Sequence, residues 1–273
     1  MQSFCGIKAL MIINGLPSIC HKVVYEVQYK YGFTYLDRCG STINEIMKRS
    51  PEWILSDNTP NPQNALLMSL RNGTSFNFSA LKYNFALEQT LGADKDLEKK
   101  DIGEFIEQVD LISSIVNERL NLNDFNRVGF RIWYLFASDT KEDSEEWISQ
   151  LLKTMPIDHS ICKTLNGSIE AKNYVVVIAS SDRKFRISIN GVERHAQVDL
   201  GGNILNIRAS RLSRDQDKFL LAQLKAKKRI AKNPVFAAMI DIDSFVEMPK
   251  DVEAKDFITV SLNQIEKLPE AFV

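Results

Sequence analysis

The sequence predicts an α+β protein with antiparallel sheets, built from two diverged αββαβ modules. Asn72-Gly73 separates two strand-like runs, and Asn-Gly is the strongest short signal for a hairpin between antiparallel strands. A second Asn-Gly pair, Asn190-Gly191, predicts another turn of this kind. Segments with helical spacing of apolar residues lie between the strand-like runs, and this mixture of hairpins and helices is typical of an α+β fold.

An internal repeat predicts where one module ends and the next begins. Residues 42–51 resemble residues 147–156, and residues 127–136 resemble residues 234–242, at an offset of about 105 residues. Self-similarity at a fixed offset is the signature of a duplicated structural unit. The two modules are predicted to span residues 1–138 and 139–273.

The first module is predicted to begin with a strand at residues 22–38, where the alternation of side chains suits a sheet. A helix is predicted to begin at Thr42, because Thr42 and Glu45 have the spacing of a capping box, and to end at Pro51. Further strands are predicted at residues 64–70, 75–89 and 127–137. Between the last two strands, apolar residues at 3.6-residue spacing predict a helix with the buried positions Phe105, Val109, Ile112, Val116 and Leu120.

The second module is predicted to follow the same order of elements. Its first helix is expected at residues 142–154, and Ser181-Asp182 predicts a hairpin turn. Its strands are predicted at residues 159–171, 173–180, 197–209 and 235–246. Its later helices are predicted at residues 214–232 and 254–268.

Composition argues against several classes of function. The chain has 273 residues, of which 44% are hydrophobic and 25% charged, as in ordinary globular proteins. Its formal net charge of −1 gives no overall attraction to nucleic acid or to an anionic membrane. The four cysteines form no C-x-x-C pair and do not combine with the three histidines at the spacing typical of a zinc site, so we predict no zinc site and expect reduced thiols in the cytoplasm.

Targeting and membrane signals are weak. The apolar run after Lys8 is too short for a secretory leader, and no run approaches the roughly 20 apolar residues of a membrane span. We therefore expect no membrane association.

The most asymmetric feature is a basic stretch that includes the helix predicted at residues 214–232. On a helix, several of its cations form one stripe, which predicts a surface for phosphates or for an acidic partner. The alternative is the solvated face of an amphipathic helix, because charge runs are usually solvated. The candidate binding residues are Arg208, Arg211, Arg214, Lys218, Lys225, Lys228, Arg229 and Lys232.

Two acidic residues form a second candidate site. Asp241 and Asp243 are two apart in a predicted strand, so both carboxylates point to one face. Paired carboxylates can hold Mg²⁺ or act as acid and base. The alternative is the polar face of a strand whose other face, with Ile240 and Ile242, belongs to the core.

The aromatic strand in the middle of the chain has two interpretations. Trp133 could stack on nucleic-acid bases together with its neighbours, with Arg131 as a phosphate contact. A run of this kind is more often a central strand of the core. The aromatic residues are Phe130, Trp133, Tyr134 and Phe136.

Two motifs carry a resemblance to a known family. Arg127-Val128-Gly129-Phe130-Arg131 follows an amphipathic helix, and Ile240-Asp241-Ile242-Asp243 precedes the last helix. The chain resembles, over about residues 20–268, a sporadically distributed bacterial family of uncharacterised proteins of about this length, which share an Arg-x-Gly-x-Arg central strand and an aspartate-rich strand before the final helix. The resemblance implies a bacterial origin, and the patchy distribution suggests genes of phage defence or mobile elements. It implies no activity.

No glycine-rich phosphate loop and no hydrolase elbow is recognisable, so the sequence predicts no cofactor and no catalytic residue. The favoured function is therefore that of a non-enzymatic binding or adaptor protein with a protein partner. One alternative is a nucleic-acid-binding module that uses the basic helix at residues 208–232. The other is a metal-dependent enzyme that uses Asp241 and Asp243.

Overall fold

A computed structural model describes residues 11–13, 15–30, 32–56, 63–88, 97–152, 173–194 and 235–271. These residues form four α-helices and a large antiparallel sheet, which confirms the α+β class. The strands are β1 (Ile12–Ile13), β2 (Leu16–Pro17), β3 (Ile19–Tyr29), β4 (Trp53–Leu55), β5 (Asn64–Ser69), β6 (Ser75–Ser79), β7 (Lys82–Glu88), β8 (Phe125–Ser138), β9 (Asn173–Ala179), β10 (Lys184–Arg194) and β11 (Val235–Glu247). The helices are α1 (Gly32–Arg49), α2 (Lys99–Leu120), α3 (Lys141–Leu152) and α4 (Ala254–Ile265), followed by a short 3₁₀ helix (Leu268–Ala271).

The large sheet has nine strands in the order β4-β5-β6-β7-β3-β8-β11-β10-β9, and every neighbouring pair is antiparallel. β3 and β8 lie side by side at its centre, and each continues into a helix, α1 or α3. β7 lies next to β3 and precedes α2, and β11 lies next to β8 and precedes α4. The next strands outward are β6 and β10. The two sides of the centre therefore resemble each other, although the side that ends in β4 has one strand more than the side that ends in β9.

The strand order is compatible with two different ways of matching the first module to the second. The similarity between residues 127–136 and 234–242 would make β8 equivalent to β11, but the order of elements makes β8 equivalent to β3. The internal duplication stays a prediction. The boundary at residue 138 also stays a prediction; it falls at the end of β8, and strands from both sides of it share one sheet.

The two faces of the sheet differ because the strands alternate in polarity. On β3, Tyr25 and Val27 are buried, whereas Glu26 and Gln28 between them are partly exposed. Each of the four helices contacts the face that carries Tyr25: Tyr35 of α1 donates a hydrogen bond to the Phe78 carbonyl, and Trp147 of α3 stacks on Phe136. Asn117 of α2 accepts a hydrogen bond from the Tyr83 hydroxyl, and the Phe257 ring of α4 contacts the Tyr25 ring.

We call the opposite side the open face, since none of the four described helices packs on it. Cross-strand register assigns its residues in the three central strands. They are Lys22, Val24, Glu26 and Gln28 on β3, Arg127, Gly129, Arg131 and Trp133 on β8, and Asp241, Asp243, Phe245 and Glu247 on β11.

Aromatic side chains fill the core between the sheet and its helices. Phe76 lies at the centre of one cluster, 4.6 Å from the Phe85 ring centroid and 5.7 Å from that of Phe78. Trp53 and Tyr83 contact it edge-on and tilted, at 6.3 and 6.2 Å. Phe76 is fully buried, so this cluster ties the β4–β7 half of the sheet together.

Three local predictions near the first helix and the first hairpin are wrong. The predicted strand at residues 22–38 ends at Tyr29, and α1 begins at Gly32. Thr42 is not a cap but lies inside α1, where its hydroxyl donates to the Arg38 carbonyl at 2.9 Å. The burial of Tyr35 against β6 stabilises the part of α1 before Thr42, which the capping motif did not predict. The predicted strand at residues 75–89 is two strands, β6 and β7, because the chain turns at Ala80-Leu81.

The turn predicted at Asn190-Gly191 is also wrong. Both residues lie inside β10, where they pair with Met239 and Ala238 of β11. A full ladder of backbone hydrogen bonds to β11 overrides the turn preference of the pair. Gly191 also suits its place under α3, because a Cβ there would lie 3.4 Å from the Ser144 hydroxyl.

The remaining elements mostly agree with the sequence. The helix with buried Phe105 is α2, the turn at Ser181-Asp182 joins β9 to β10, and β8, α3, β11 and α4 lie within a few residues of their predicted bounds. The strands predicted at 159–171 and 197–209 and the helix at 214–232 lie outside the described residues. None of the described helices is long and apolar enough to cross a membrane.

Candidate functional site: the open face of the central strands

Arg131 and Asp241 form the strongest ion pair on the open face. Arg131 Nε donates to Asp241 Oδ1 at 2.6 Å, and Nη2 donates to Oδ2, so the contact is bidentate. Such fork-to-fork pairs are stronger and more rigid than single contacts. The Asp241 side chain is 8% exposed and that of Arg131 is 39% exposed, so the carboxylate lies inside and the guanidinium reaches the surface.

Arg127 makes a second arginine–carboxylate pair one step along the strands. Its Nη2 donates to Asp243 Oδ2 at 2.6 Å, and its Nη1 lies 3.7 Å from Glu26 Oε1. Burial raises the pKa of Asp243, although the guanidinium groups of Arg127 and Arg131 oppose this. The Arg127 guanidinium therefore has carboxylates from strands on both sides of β8.

Gly129 makes room for this arrangement. The Arg127 guanidinium lies across the backbone of Gly129, and a Cβ at that position would come within 2.7 Å of Arg127 Nη1. The same guanidinium stacks over the Phe245 ring, 4.6 Å from its centroid. The middle glycine of the Arg-x-Gly-x-Arg run thus has a physical role: it lets the first arginine fold flat against the sheet.

A third group surrounds Trp133. Lys22 Nζ and the Arg131 guanidinium lie 4.7 and 5.1 Å from the Trp133 ring centroid, both within cation–π range. Lys22 Nζ also binds Glu88 Oε2 at 2.6 Å, and His21 Nε2 lies 3.3 Å from Glu88 Oε1. His21 can reach this face because the β3–β8 register shifts between Cys20 and Lys22. Two cations therefore contact the Trp133 ring, and each of them also binds its own carboxylate.

Further ion pairs extend the same alternation of charge across the sheet. Lys82 Nζ binds Glu26 Oε2 at 3.0 Å, and Lys184 Nζ binds Glu247 Oε2 at 2.6 Å. Exposed pairs of this kind stabilise a fold little, so their main effect is to give the face a fixed charge pattern.

The structure fits poorly with a metal centre at the two aspartates. Asp241 and Asp243 do share a face, as their spacing predicted, but each binds an arginine. The guanidinium groups stand where a cation would have to bind, and they repel it. Among the described residues, no group of three or more His, Cys, Asp or Glu side chains could hold a metal ion.

Of the other candidate residues from the sequence, the aromatic ones are described and the basic ones are not. Of the four candidate aromatic residues on β8, Phe130, Tyr134 and Phe136 are buried on the helix side, and only Trp133 lies on the open face. The eight cations from Arg208 to Lys232 lie outside the described residues.

Sequence reasoning missed the partners of the central arginines. Glu26, Lys22 and Glu88 come from β3 and β7, more than 35 residues from β8 along the chain. The alternation on β3 marks Lys22 and Glu26 as members of one face. Nothing in the sequence shows which strand lies beside β3, so these contacts could not be found from it.

The described residues define an antiparallel α+β fold whose four described helices lie on one face of the sheet and whose other face is rich in arginine, aromatic and carboxylate side chains. No family model matches the chain, and searches of curated proteins and of solved structures also find no match. The open face is therefore interpreted from its own chemistry.

Glu88, the carboxylate that binds Lys22 beside Trp133, should make the free energy of unfolding depend on pH. The His21 hydrogen bond, followed by the Lys22 contact, lowers the pKa of Glu88 to about 2 against the opposing effect of burial. A depressed folded-state pKa means that the stabilisation is present above about pH 4.5 and is lost as the pH falls toward 2. Glu88 is 41% exposed, so Glu88→Gln should lower the free energy of unfolding by only about 0.5 kcal/mol at neutral pH.

Urea denaturation at neutral pH and in steps down to about pH 3 measures this effect. The difference between the two proteins should shrink steadily as the pH falls. A difference that stays constant over this range would show that Glu88 does not act through its charge.

Proposed function

We propose that this chain is a non-enzymatic binding protein and that it recognises a protein partner with the open face of its sheet. The observation that carries the proposal is the pair of arginines, Arg127 and Arg131, each fixed by an aspartate and stacked on an aromatic ring in the middle of that face. Arginine and large aromatic residues supply most of the binding energy at protein interfaces. Fixing them in the free protein reduces the entropy that binding would cost.

The charge pattern favours a protein over a nucleic acid at this face. Every phosphate that approached Arg127 or Arg131 would also meet Asp243, Glu26 or Asp241 within a few ångströms. Phosphate binding needs cations that are not already neutralised. A protein surface can instead present both signs of charge and match the alternation.

The alternatives from the sequence stay open to direct test. Nucleic-acid binding through residues 208–232 would appear as oligonucleotide binding that weakens steeply with salt and survives changes on the open face. A metal-dependent enzyme at Asp241 and Asp243 would gain thermal stability from Mg²⁺ or Mn²⁺, because a ligand of the native state must stabilise it. We expect no such rise. A role in bacterial defence or in mobile elements comes only from the family resemblance.

The decisive variant is Gly129→Ala. The added methyl group must displace the Arg127 guanidinium from Asp243 and Phe245, because only 2.7 Å separates its position from Nη1. The clash is with the end of a flexible side chain, so the fold itself should persist. Gly40→Ala in α1 is the matched control, since a Cβ added at that position would have nothing within 4 Å.

The experiment first isolates partners by affinity capture with the wild-type protein and then repeats binding with each purified partner by calorimetry. Gly129→Ala should weaken binding at least about tenfold, which corresponds to about 1.4 kcal/mol, and Gly40→Ala should leave it unchanged. Equal affinity of all three proteins would place the interface elsewhere. If the wild type bound oligonucleotides and Gly129→Ala did not, as measured by fluorescence anisotropy, the open face would recognise a nucleic acid instead of a protein.

A further inference from the structure

A cavity of about 370 Å³ lies on the helix side of the sheet, at the end that carries β4. Its walls come from the segment that joins α1 to β4, from the turn between β5 and β6, and from the N-terminal half of α2. Small-molecule sites in proteins usually have volumes of about 300–1,000 Å³, so this cavity has room for a small metabolite.

Two buried polar atoms belong to residues that line this cavity. Trp53 is 1% exposed and Gln108 is 5% exposed. Among the residues that the structure describes, neither Trp53 Nε1 nor Gln108 Oε1 has a hydrogen-bond partner. The Gln108 amide is held in place, because its Nε2 donates to Ser69 Oγ at 3.1 Å. A buried donor or acceptor without a partner costs stability, so one of each at the same cavity indicates a ligand that both accepts and donates hydrogen bonds.

Arg71 and Lys100, the two cations among the described lining residues, share a single carboxylate. Arg71 Nε and Lys100 Nζ lie 3.4 and 3.9 Å from the two carboxylate oxygens of Glu104. The two cationic side chains are 56% and 79% exposed, so these contacts are weak. One positive charge at the cavity therefore has no carboxylate of its own, and it can bind an anionic group of a ligand.

The other carboxylates of the cavity leave one negative charge without a partner. Glu107 binds Lys255 Nζ at 2.9 Å, so its charge is balanced. Glu52 also lines the cavity, and no described residue forms an ion pair with it. The Leu70 amide donates to the Glu52 carbonyl at 2.9 Å, which places Glu52 near the turn that carries Arg71. The cavity thus has one unmatched cation and one unmatched anion, and a complementary ligand carries both signs of charge.

We propose that this cavity binds a free amino acid. The carboxylate of the ligand binds Arg71 and Lys100, and its ammonium group binds Glu52. Gln108 Oε1 supplies a second acceptor and Trp53 Nε1 a further donor. A nucleotide or an organic acid has no ammonium group to pair with Glu52, and a polyamine has no anionic group for the two cations. The zwitterion is the class that matches all of these groups.

Equilibrium dialysis of the full chain against a mixture of the standard L-amino acids identifies the ligand. We expect one amino acid, or a group of similar ones, to be enriched on the protein side and to raise the melting temperature with its concentration, because a ligand of the native state stabilises it. Its N-acetyl derivative, which lacks the ammonium charge, and its amide, which lacks the carboxylate, should each bind at least about tenfold more weakly. The proposal is wrong if no amino acid is enriched, or if either derivative binds as tightly as the amino acid itself.

Gly103→Leu tests whether the amino acid binds in this cavity. Gly103 lines the cavity on α2, and a Cβ added there would have nothing within 4 Å, so the larger side chain takes up free space at the wall. Leucine also favours a helix more than glycine does, so the variant should fold and its melting temperature without ligand should not fall. We expect it to bind the amino acid at least about tenfold more weakly. Gly40→Leu in α1, where an added Cβ would also have nothing within 4 Å, is the matched control. Equal affinity of both variants would place the binding elsewhere.

Charge-neutralising variants test the two ends of the ligand separately. Glu52→Gln, and separately Arg71→Gln combined with Lys100→Gln, should each weaken binding at least about tenfold in calorimetry. Lys99→Gln is the matched control, because Lys99 precedes Lys100 on α2, is exposed and does not line the cavity. Wild-type affinity in Glu52→Gln would contradict the ammonium site.

This inference does not depend on the proposed function. Trp53 contacts the Phe76 and Phe85 rings on the helix side, whereas Gly129 lies on the open face. Gly129→Ala should therefore bind the amino acid with wild-type affinity, and Gly103→Leu should keep its affinity for a protein partner. Each proposal can fail without the other.

Discussion

Phe76→Ala should lower the free energy of unfolding by about 3–5 kcal/mol, the usual cost of removing a fully buried aromatic side chain. Phe76 has no exposed surface, and four aromatic rings from β4, β6 and β7 contact it. The cavity would open where β4 to β7 meet their helices, and the neighbouring large rings could collapse into it only in part. Chemical denaturation by urea, followed by circular dichroism, measures the change.

Phe33→Ala is the matched control for this prediction. Phe33 is the same residue type, but 82% of it is exposed near the start of α1, so its removal should change stability by no more than about 0.5 kcal/mol. Comparable losses from both variants would mean that the aromatic cluster does not form the core of this half of the sheet.

Arg131→Met should lower the free energy of unfolding by about 2–3 kcal/mol. The variant leaves Asp241, 8% exposed, as a buried carboxylate without its bidentate partner. Breaking a buried ion pair from one side costs about 3–5 kcal/mol, and the 39% exposure of Arg131 reduces this through solvent screening. The same denaturation experiment measures it.

A double-mutant cycle separates the pair from the individual residues. Arg131→Met combined with Asp241→Leu should recover most of the lost stability, because the lone buried charge is gone. Lys184→Met is the control for an exposed pair: Lys184 and Glu247 are 42% and 53% exposed, so its loss should cost about 0.5 kcal/mol or less. If the double variant were no more stable than Arg131→Met alone, the cost would not arise from an unpaired Asp241.

The two arginine pairs thus have separate roles in the same face. Loss of Arg131 should cost stability because it leaves the buried Asp241 carboxylate without a partner. The Arg127 group can be displaced by a methyl group at Gly129 with little effect on the fold. This difference is why Gly129→Ala tests binding and Arg131→Met tests stability.

Local periodicity made much of the fold predictable. Strand alternation and helical spacing depend on residues two to four positions apart, so β8, α2, α3, β11 and α4 could be placed from the sequence within a few residues. The failures have tertiary causes. Asn190-Gly191 has the preference of a turn, yet pairing with β11 keeps it in a strand; Thr42 has the spacing of a cap, yet packing of Tyr35 extends the helix past it.

The sequence by itself determined the α+β class, the hairpins at Asn72-Gly73 and Ser181-Asp182 and the placing of Asp241 and Asp243 on one face, because each follows from short-range geometry. Only the tertiary structure decided that β8 lies between β3 and β11, that all four described helices cover one face, and that Arg131 meets Asp241 across 110 residues. Several strands have similar alternating patterns, so local sequence does not select their neighbours. The selection comes from the packing of the whole sheet against its helices, and that packing turned two candidate metal ligands into the anchors of two arginines.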